Sequence, residues 1–192
     1  MDQGGRMKAF FKYPINEIYS LVKPDITMAA ELFELINENE EHIGRFLPIP
    51  KHVKNIEDEA EFLRRVLKGE GMGSNRQFFI ADGDKLIGSI DIHKIDQAAE
   101  SGEVGYWLSG DQTGAGIMIN CLKVLCRLAF EAWGFNKLVL LADVENAASN
   151  KVALKAGFHF IGTDPEEIFD DEVFHDANRY CLTKSMYESQ KG

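Results

Sequence analysis

Residues 107–134 read WLSGDQTGAGIMINCLKVLCRLAFEAWG, and the fold turns on how that stretch is divided. From Ile117 onward, Ile117, Cys121, Val124, Leu125, Leu128 and Ala132 fall three or four residues apart, the spacing of one face of a long helix. Gly134 is placed to end that helix in the left-handed conformation. The head, Trp107 to Ser109, closes a strand begun in GEVGYWLS. Between them, Thr113-Gly114-Ala115-Gly116 occupies the first turn of the helix. The first N–H groups of a helix lack internal partners and carry the positive end of its dipole. Gly114 and Gly116 remove side chains that would hold a ligand off, so the loop suits a phosphate or pyrophosphate. A tight turn without a ligand would use the same two glycines, and the loop alone leaves both readings open.

Other phosphate loops fit less well. A P-loop requires Lys after its last glycine, and Ile117 follows Gly116. A dinucleotide fingerprint starting at Gly114 would need glycine where Ile119 stands, and it belongs near a first strand rather than after three consecutive ones. A nicotinamide-dependent oxidoreductase is set aside on those grounds.

Outward from this stretch the chain alternates cleanly. INEIYSLVKPD reads as a first strand ending at Pro24, after which Asp25 caps a helix bearing Leu32, Leu35, Ile36 and Ile43. Asn55 caps a second helix with Ala60, Phe62, Leu63, Val66 and Leu67. RQFFIAD and KLIGSIDIHKI flank the hairpin turn Asp82-Gly83-Asp84. KLVLLAD is short and continuously apolar, hence a buried strand. AASNKVALKAG is a shorter helix stopping at Gly157, FHFIG resumes as strand, and an acidic connection leads to a last strand, NRYCLTK. The expected order is β-α-α-β-β-β-α-β-α-β-β, one domain over residues 1–192. The opening MDQGGR is expected to be either a frayed native end or an appended one, with residues 1–12 disordered.

The balance of charge limits the partners. With 21 Lys and Arg against 31 Asp and Glu, a net charge of -10, the chain is a poor ligand for nucleic acid. A cationic or amine-bearing partner suits it better. Cys121, Cys126 and Cys181 are an odd number without paired spacing, the pattern of reduced thiols. With no signal-peptide core and no apolar run long enough to span a bilayer, the expectation is a cytoplasmic protein off the membrane. His42, His52, His93 and His159 show no metal-ligand spacing, and no metal is expected. A homodimer is kept open.

From about Glu103 to Gly162 the sequence resembles the core of the GNAT superfamily of N-acetyltransferases, in the Rim-type branch that acetylates ribosomal-protein N-termini. The resemblance rests on GYW, the glycine loop, GFNKL, N-x-x-S-N at Asn146 to Asn150, and the Gly157-Phe158 pair after the second helix. It implies an α/β (α+β) fold with a mixed, mostly antiparallel central sheet flanked by helices. It also implies acetyl-CoA as cosubstrate, its pyrophosphate on the main chain of Thr113, Gly114, Ala115, Gly116, Ile117 and Met118. The pantetheine would run along YWLS near Leu108 and leave through a splay between that strand and LVLLAD. Thr113 stands where the family usually has Gln or Arg, and Ala115 where Lys is common, so side-chain contacts to phosphate are lost.

For the chemistry, the resemblance points to Glu103 as proton acceptor, through water, with a solvated strand-end carboxylate as the alternative. The family's usual Tyr acid falls at Ala153, which leaves the Ser149 hydroxyl to face the leaving thiolate, unless it only caps the helix. Asn150 is implied to bind the pantetheine or phosphate portion, and Asn146 either does so or caps the helix. Lys123 and Lys151 are read as solvated.

From Asp164 to Asp176 the chain holds Asp164, Glu166, Glu167, Asp170, Asp171, Glu172 and Asp176 with no Lys or Arg. Such a run is ordinarily a solvated loop. If it overhangs the acceptor side, it would draw in a cationic amine, with Glu167 as direct contact and His175 at the rim. The expected function is N-acetyl transfer to a primary amine, such as a small polyamine-like molecule or a ribosomal-protein N-terminus. The alternative is a catalytically silent acetyl-CoA-binding or regulatory module.

Overall fold

The computed structural model describes residues 11–191. The expectation of disorder therefore lies outside the described residues for 1–10, while Lys12 opens a strand. β1 (Lys12–Pro14) and β2 (Tyr19–Val22) form a hairpin whose turn is held by Asn16, its Oδ1 accepting from Ile18 and Tyr19 N–H at 2.9 and 2.8 Å. Asp25 caps a 3-10 turn, Ile26–Met28, that runs into α1 (Ala29–Glu38). The expected single first helix breaks at Asn39, and Ile43 sits on a separate short α2 (Glu40–Gly44), followed by α3 (Ile49–His52). α4 (Ile56–Met72) starts in a reciprocal capping box between Asn55 and Asp58 and stops at Gly73, φ 75°.

Three antiparallel strands follow: β3 (Arg76–Asp82), β4 (Lys85–Asp96) and β5 (Ser101–Leu108). α5 (Ile117–Arg127) continues as a π-helical turn over Leu128–Ala132 and ends at Gly134, φ 76°. β6 (Lys137–Asp143), α6 (Ala147–Lys155), β7 (His159–Asp170), β8 (Val173–Thr183) and α7 (Lys184–Ser189) complete the chain.

The strands make an eight-stranded sheet in the order β1-β2-β3-β4-β5-β6-β8-β7, antiparallel except for β5 against β6. Alternation along the strands divides the buried residues between its two faces. Val104, Leu108, Leu138 and Leu140 join Leu122 and Leu125 of α5 in the larger core. Phe79 joins Leu32 of α1 and Leu63 of α4 in the smaller one, with Trp107 packed against it. The three cysteines are free and buried, and burial pushes the Cys121 and Cys126 thiols up to about 12. Among the described residues no helix is long and apolar enough to cross a membrane.

The acidic segment is not a loop. β7 runs to Asp170 and pairs with β8 as a hairpin, turning at Asp171 and Glu172 with φ 48° and 62°.

Candidate active site

β5 and β6 part company in mid-sheet. Their parallel pairing runs from Ser101–Lys137 to Val104–Leu140 and stops there. Ser109 N–H donates to Ile87 O at 2.8 Å, directly opposite it, so by antiparallel alternation Trp107, Gly105 and Glu103 exchange bonds with β4. Tyr106 and Leu108 then turn their main-chain N–H and C=O towards the gap that β6 has vacated. An unpaired edge within a sheet is a template for an extended amide chain. Leu108 contributes main chain to the gap and its buried side chain to the core.

The gap leads to the glycine loop. Gly110 N–H donates to Asn39 Oδ1 at 2.8 Å, tying the loop to the break between α1 and α2. The Thr113 hydroxyl donates to Gly110 O at 2.9 Å, so this side chain stabilises the loop itself. Gly114 and Gly116 have φ 83° and 77°, and no atom lies within 4 Å of where a Cβ would stand at either. Gly116 is the N-cap of α5, and the first bond within the helix runs from Asn120 N–H to Gly116 O at 3.2 Å. The N–H groups of Ile117, Met118 and Ile119 precede that bond and have no carbonyl within the helix. Ile117 and Met118 bury their side chains in the core, so each can offer a ligand only its main chain. Ala115 is exposed.

On the α5–α6 side of the gap, Asn146 caps α6, its Oδ1 accepting from Ser149 N–H at 3.0 Å. That relieves the Ser149 side chain of capping. Its hydroxyl lies 2.9 Å from the Tyr106 hydroxyl, which also reaches Ser149 O at 3.2 Å. Burial pushes the Tyr106 phenol up to about 12, against the opposing hydrogen bond with Ser149, so it stays protonated. Tyr106 was quoted in GYW without a role, and only the long-range approach of α6 to β5 supplies one. Asn150 is used differently from the family's implication. Its amide donates to Asp143 O (2.9 Å) and Asn146 O (2.8 Å) and accepts from Asn178 (2.8 Å) and Tyr180 (2.6 Å). All its hydrogen-bonding positions go to the protein, so it pins β6, α6 and β8 together.

The opposite face carries a cluster of which the sequence names only Glu103 as a candidate. His93 Nδ1 lies 2.6 Å from Asp91 Oδ1, and its Nε2 lies 3.1 Å from Glu103 Oε1. Lys94 Nζ reaches both Glu103 oxygens at 3.0 and 3.1 Å. Asp91 and His93 pack closely over Gly105, where a Cβ would stand 3.0 Å from Asp91 Oδ2 and 3.2 Å from His93 Cε1, tighter than side chains ordinarily approach. The hydrogen bond from His93 pulls Glu103 down to about 2, with Lys94 helping against burial. Hydrogen bonds to Asp91 and Glu103 raise His93 to about 9. Burial raises Asp91, against the bond from His93. Glu103 is therefore a firmly ionised carboxylate, poorly matched to take a proton at neutral pH, whereas His93 has a proton affinity close to that of an amine. The signal available in the sequence was the alternation in DIH, which puts Asp91 and His93 on one face.

Around the hairpin, Arg179 bonds Asp164 at 2.5 Å and Glu167 at 3.4 Å, and Lys51 of α3 meets Asp170 and Asp171 at 2.6 and 2.9 Å. Asp176 Oδ1 accepts from Glu166 N–H at 2.9 Å. The run that lacks a cation in sequence thus receives two in space, and Glu167 is partly engaged by Arg179. His175 Nδ1 lies 3.3 Å from Asp143 Oδ2, at the end of β6 beyond the point where β5 and β6 separate.

Residues 20–159 match the family described as acetyltransferase (GNAT) domain. The chain is 29% identical over 150 residues to the ribosomal-protein-serine acetyltransferase of Escherichia coli (strain K12), covering 78% of this chain and 84% of that protein. It is 26% identical over 186 residues to the putative ribosomal N-acetyltransferase YdaF of Bacillus subtilis (strain 168), covering 94% and 100%. Among solved structures, the microcin C7 self-immunity acetyltransferase MccE in complex with acetyl-CoA and AMP superposes with a TM-score of 0.84 at 28% identity, covering 88% of this chain and 94% of that one. The ribosomal L7/L12 alpha-N-protein acetyltransferase RimL in complex with coenzyme A gives 0.86 at 22% identity, covering 90% and 98%. With an unpaired strand edge leading to a glycine-capped helix start, and a family match across most of its length, this chain belongs to the GNAT acetyltransferases and is an enzyme of that family.

Proposed function

We propose that the protein transfers the acetyl group of acetyl-CoA to a primary amine, of the kind presented by a protein N-terminus. The observation that carries this reading is the gap between β5 and β6, whose free main-chain edge at Tyr106 and Leu108 runs to the open glycine loop. Two relatives named for ribosomal-protein acetylation support the acceptor class.

Acetyl-CoA supplies an activated acetyl thioester. The residues present fit it: main-chain N–H groups from Gly114 to Met118 suit the pyrophosphate, and the Tyr106–Leu108 edge suits the pantetheine amides. Ser149, with Tyr106 behind it, offers a hydroxyl proton towards the departing sulfur. On the other face, Glu103 and Asp91 hold His93 between them. A charged amine must shed a proton before it can attack. The Asp91–His93–Glu103 chain is the route we assign to that proton, with Glu103 anchoring the imidazole. Glu167 and His175 remain the proposed acceptor contacts at the rim.

The test is acetyl-CoA titration by calorimetry, followed by coenzyme A release with a panel of amines and N-terminal peptides. Binding with turnover supports the proposal. Binding with no turnover on any amine indicates a silent acetyl-CoA module instead.

A further inference from the structure

A cavity of about 280 Å³ lies on the α1–α4 face, between α1, α3, α4 and strands β3 to β5. Its walls are largely apolar and aromatic, with Leu32, Ile36, Phe62, Phe79 and Trp107 among them. One carboxylate breaks that surface. Glu59, in the first turns of α4, is only 3% exposed, and among the described residues no side chain or main-chain group hydrogen-bonds or ion-pairs with it. The other charged or titratable groups on the cavity, Asp58, Arg65 and His52, make no hydrogen bond or ion pair with it. Asp58 is occupied by the capping box, accepting from Lys54 and Asn55 N–H. Arg65 lies 3.5 Å from Glu61 on the exposed side of α4. Burial pushes Glu59 up to about 7, the Asp58 charge adding to it and the Arg65 charge opposing it.

A buried carboxyl without a partner is costly, and folding alone gives no reason to keep one. A ligand that brings a cation recovers that cost, and aromatic walls favour the same cation through their ring faces. The cavity is also near the reaction. Trp107 on its wall and Gly105 beside Asp91 and His93 are two residues apart on one face of β5, roughly 7 Å. An acceptor amine that reaches the His93 cluster could therefore keep an apolar spacer against Trp107 and a second nitrogen at Glu59.

Resting on the acetyl-transfer reading above, we infer that this cavity selects acceptors carrying a second protonated nitrogen on an apolar spacer, with Glu59 as its counter-charge. The source could be a small diamine or a peptide with Lys next to its N-terminus. The experiment uses the full chain and two probe pairs: alkyl diamines against monoamines of equal chain length, and N-terminal peptides with Lys against norleucine at the second residue. Binding is read by thermal-shift titration without acetyl-CoA, and kcat/KM by coenzyme A release. Each is repeated in Glu59→Gln and in Glu59→Met, which keeps the volume should the amide fold poorly.

The expected result is at least tenfold tighter binding of the dicationic member of one pair. The preference should disappear in either variant while acetyl-CoA affinity stays unchanged. Selectivity confined to the diamines or to the peptides identifies the source. Equal binding within both pairs, or a preference that survives loss of the carboxylate, overturns the inference. Should acetyl-CoA bind while no amine is acetylated, the transfer reading fails, and the thermal titrations still decide the role of the cavity.

Discussion

A methyl group at Gly116 tests the cofactor placement most directly, because the structure contains its own control. Gly116 and Gly134 share a left-handed φ, 77° and 76°, and a Cβ at either would meet nothing within 4 Å. Ala at each site should therefore destabilise the fold alike, by about 1–2 kcal/mol for an L-residue in that conformation. For a chain of this size that is a fall in Tm of roughly 2–8 °C. Only Gly116 caps the helix whose N–H groups face the proposed pyrophosphate. A methyl there that displaces the phosphate from one main-chain N–H forfeits a bond to a charged group, about 1.5–3 kcal/mol. That corresponds to a loss of roughly 10- to 150-fold in acetyl-CoA affinity. Calorimetric titration of Gly116→Ala and Gly134→Ala, with their melting curves, separates local strain from lost contact. Equal acetyl-CoA affinity in the two folded variants would refute the placement of the phosphate on this loop.

Five other outcomes follow from the geometry. His93 is raised from 6.5 to about 9 by Asp91 and Glu103, so kcat/KM should climb as pH rises through about 9 and neutral imidazole appears, while Glu103→Gln should move that limb towards acid. The same shift contributes stability that is complete below 6.5 and lost through about 9, which urea midpoints across that range would register in wild type and not in His93→Gln. Ser149→Ala should lower kcat by about 10²-fold with acetyl-CoA affinity nearly unchanged, and Tyr106→Phe should lower it less. Lys51→Met frees Asp170 and Asp171 and should steepen the salt dependence of KM for a cationic acceptor, as measured at two ionic strengths. Glu172→Gly relieves a φ of 62° and should raise stability by about 1 kcal/mol, seen as a Tm gain of roughly 2–4 °C.

What could be read from sequence was what local chemistry decides. The apolar spacing from Ile117 fixed α5, the Asn55 and Asn146 side chains marked helix starts, and the glycine loop marked the start of α5. The remainder depends on partners distant in the chain. Pro165 and seven carboxylates argue against a strand, yet β7 extends to Asp170 because β8 pairs with it and Arg179 and Lys51 offset its charge. The first helix divides because Asn39 places its amide on Leu35 O and Gly110 N–H, a bond spanning 71 residues. Glu59 lies in the first turn of α4, where an acid is ordinary. Its position three and four residues before Phe62 and Leu63 puts it on the buried stripe of α4, a signal the sequence did carry.

The two sides of the site depend on sequence in different ways. On the proposed cofactor side the groups on offer are main-chain N–H and C=O, positioned by positive φ at two glycines and by the departure of β6, so side-chain identity there is nearly free. That accounts for Thr113 and Ala115 standing where the family usually has polar or basic residues: the Thr113 hydroxyl is spent on Gly110 O, and the donors that matter do not change. On the proposed acceptor side the groups are side chains from five separate elements, namely Asp91 and His93, Glu103, Lys51, Glu59 and Arg179. All but Glu59 are hydrogen-bonded or ion-paired to another side chain. A relative could keep the whole cofactor side while replacing any one of these residues. Resemblance to the family therefore carries the acetyl donor further than it carries the acceptor, whose identity rests on that small set of charges.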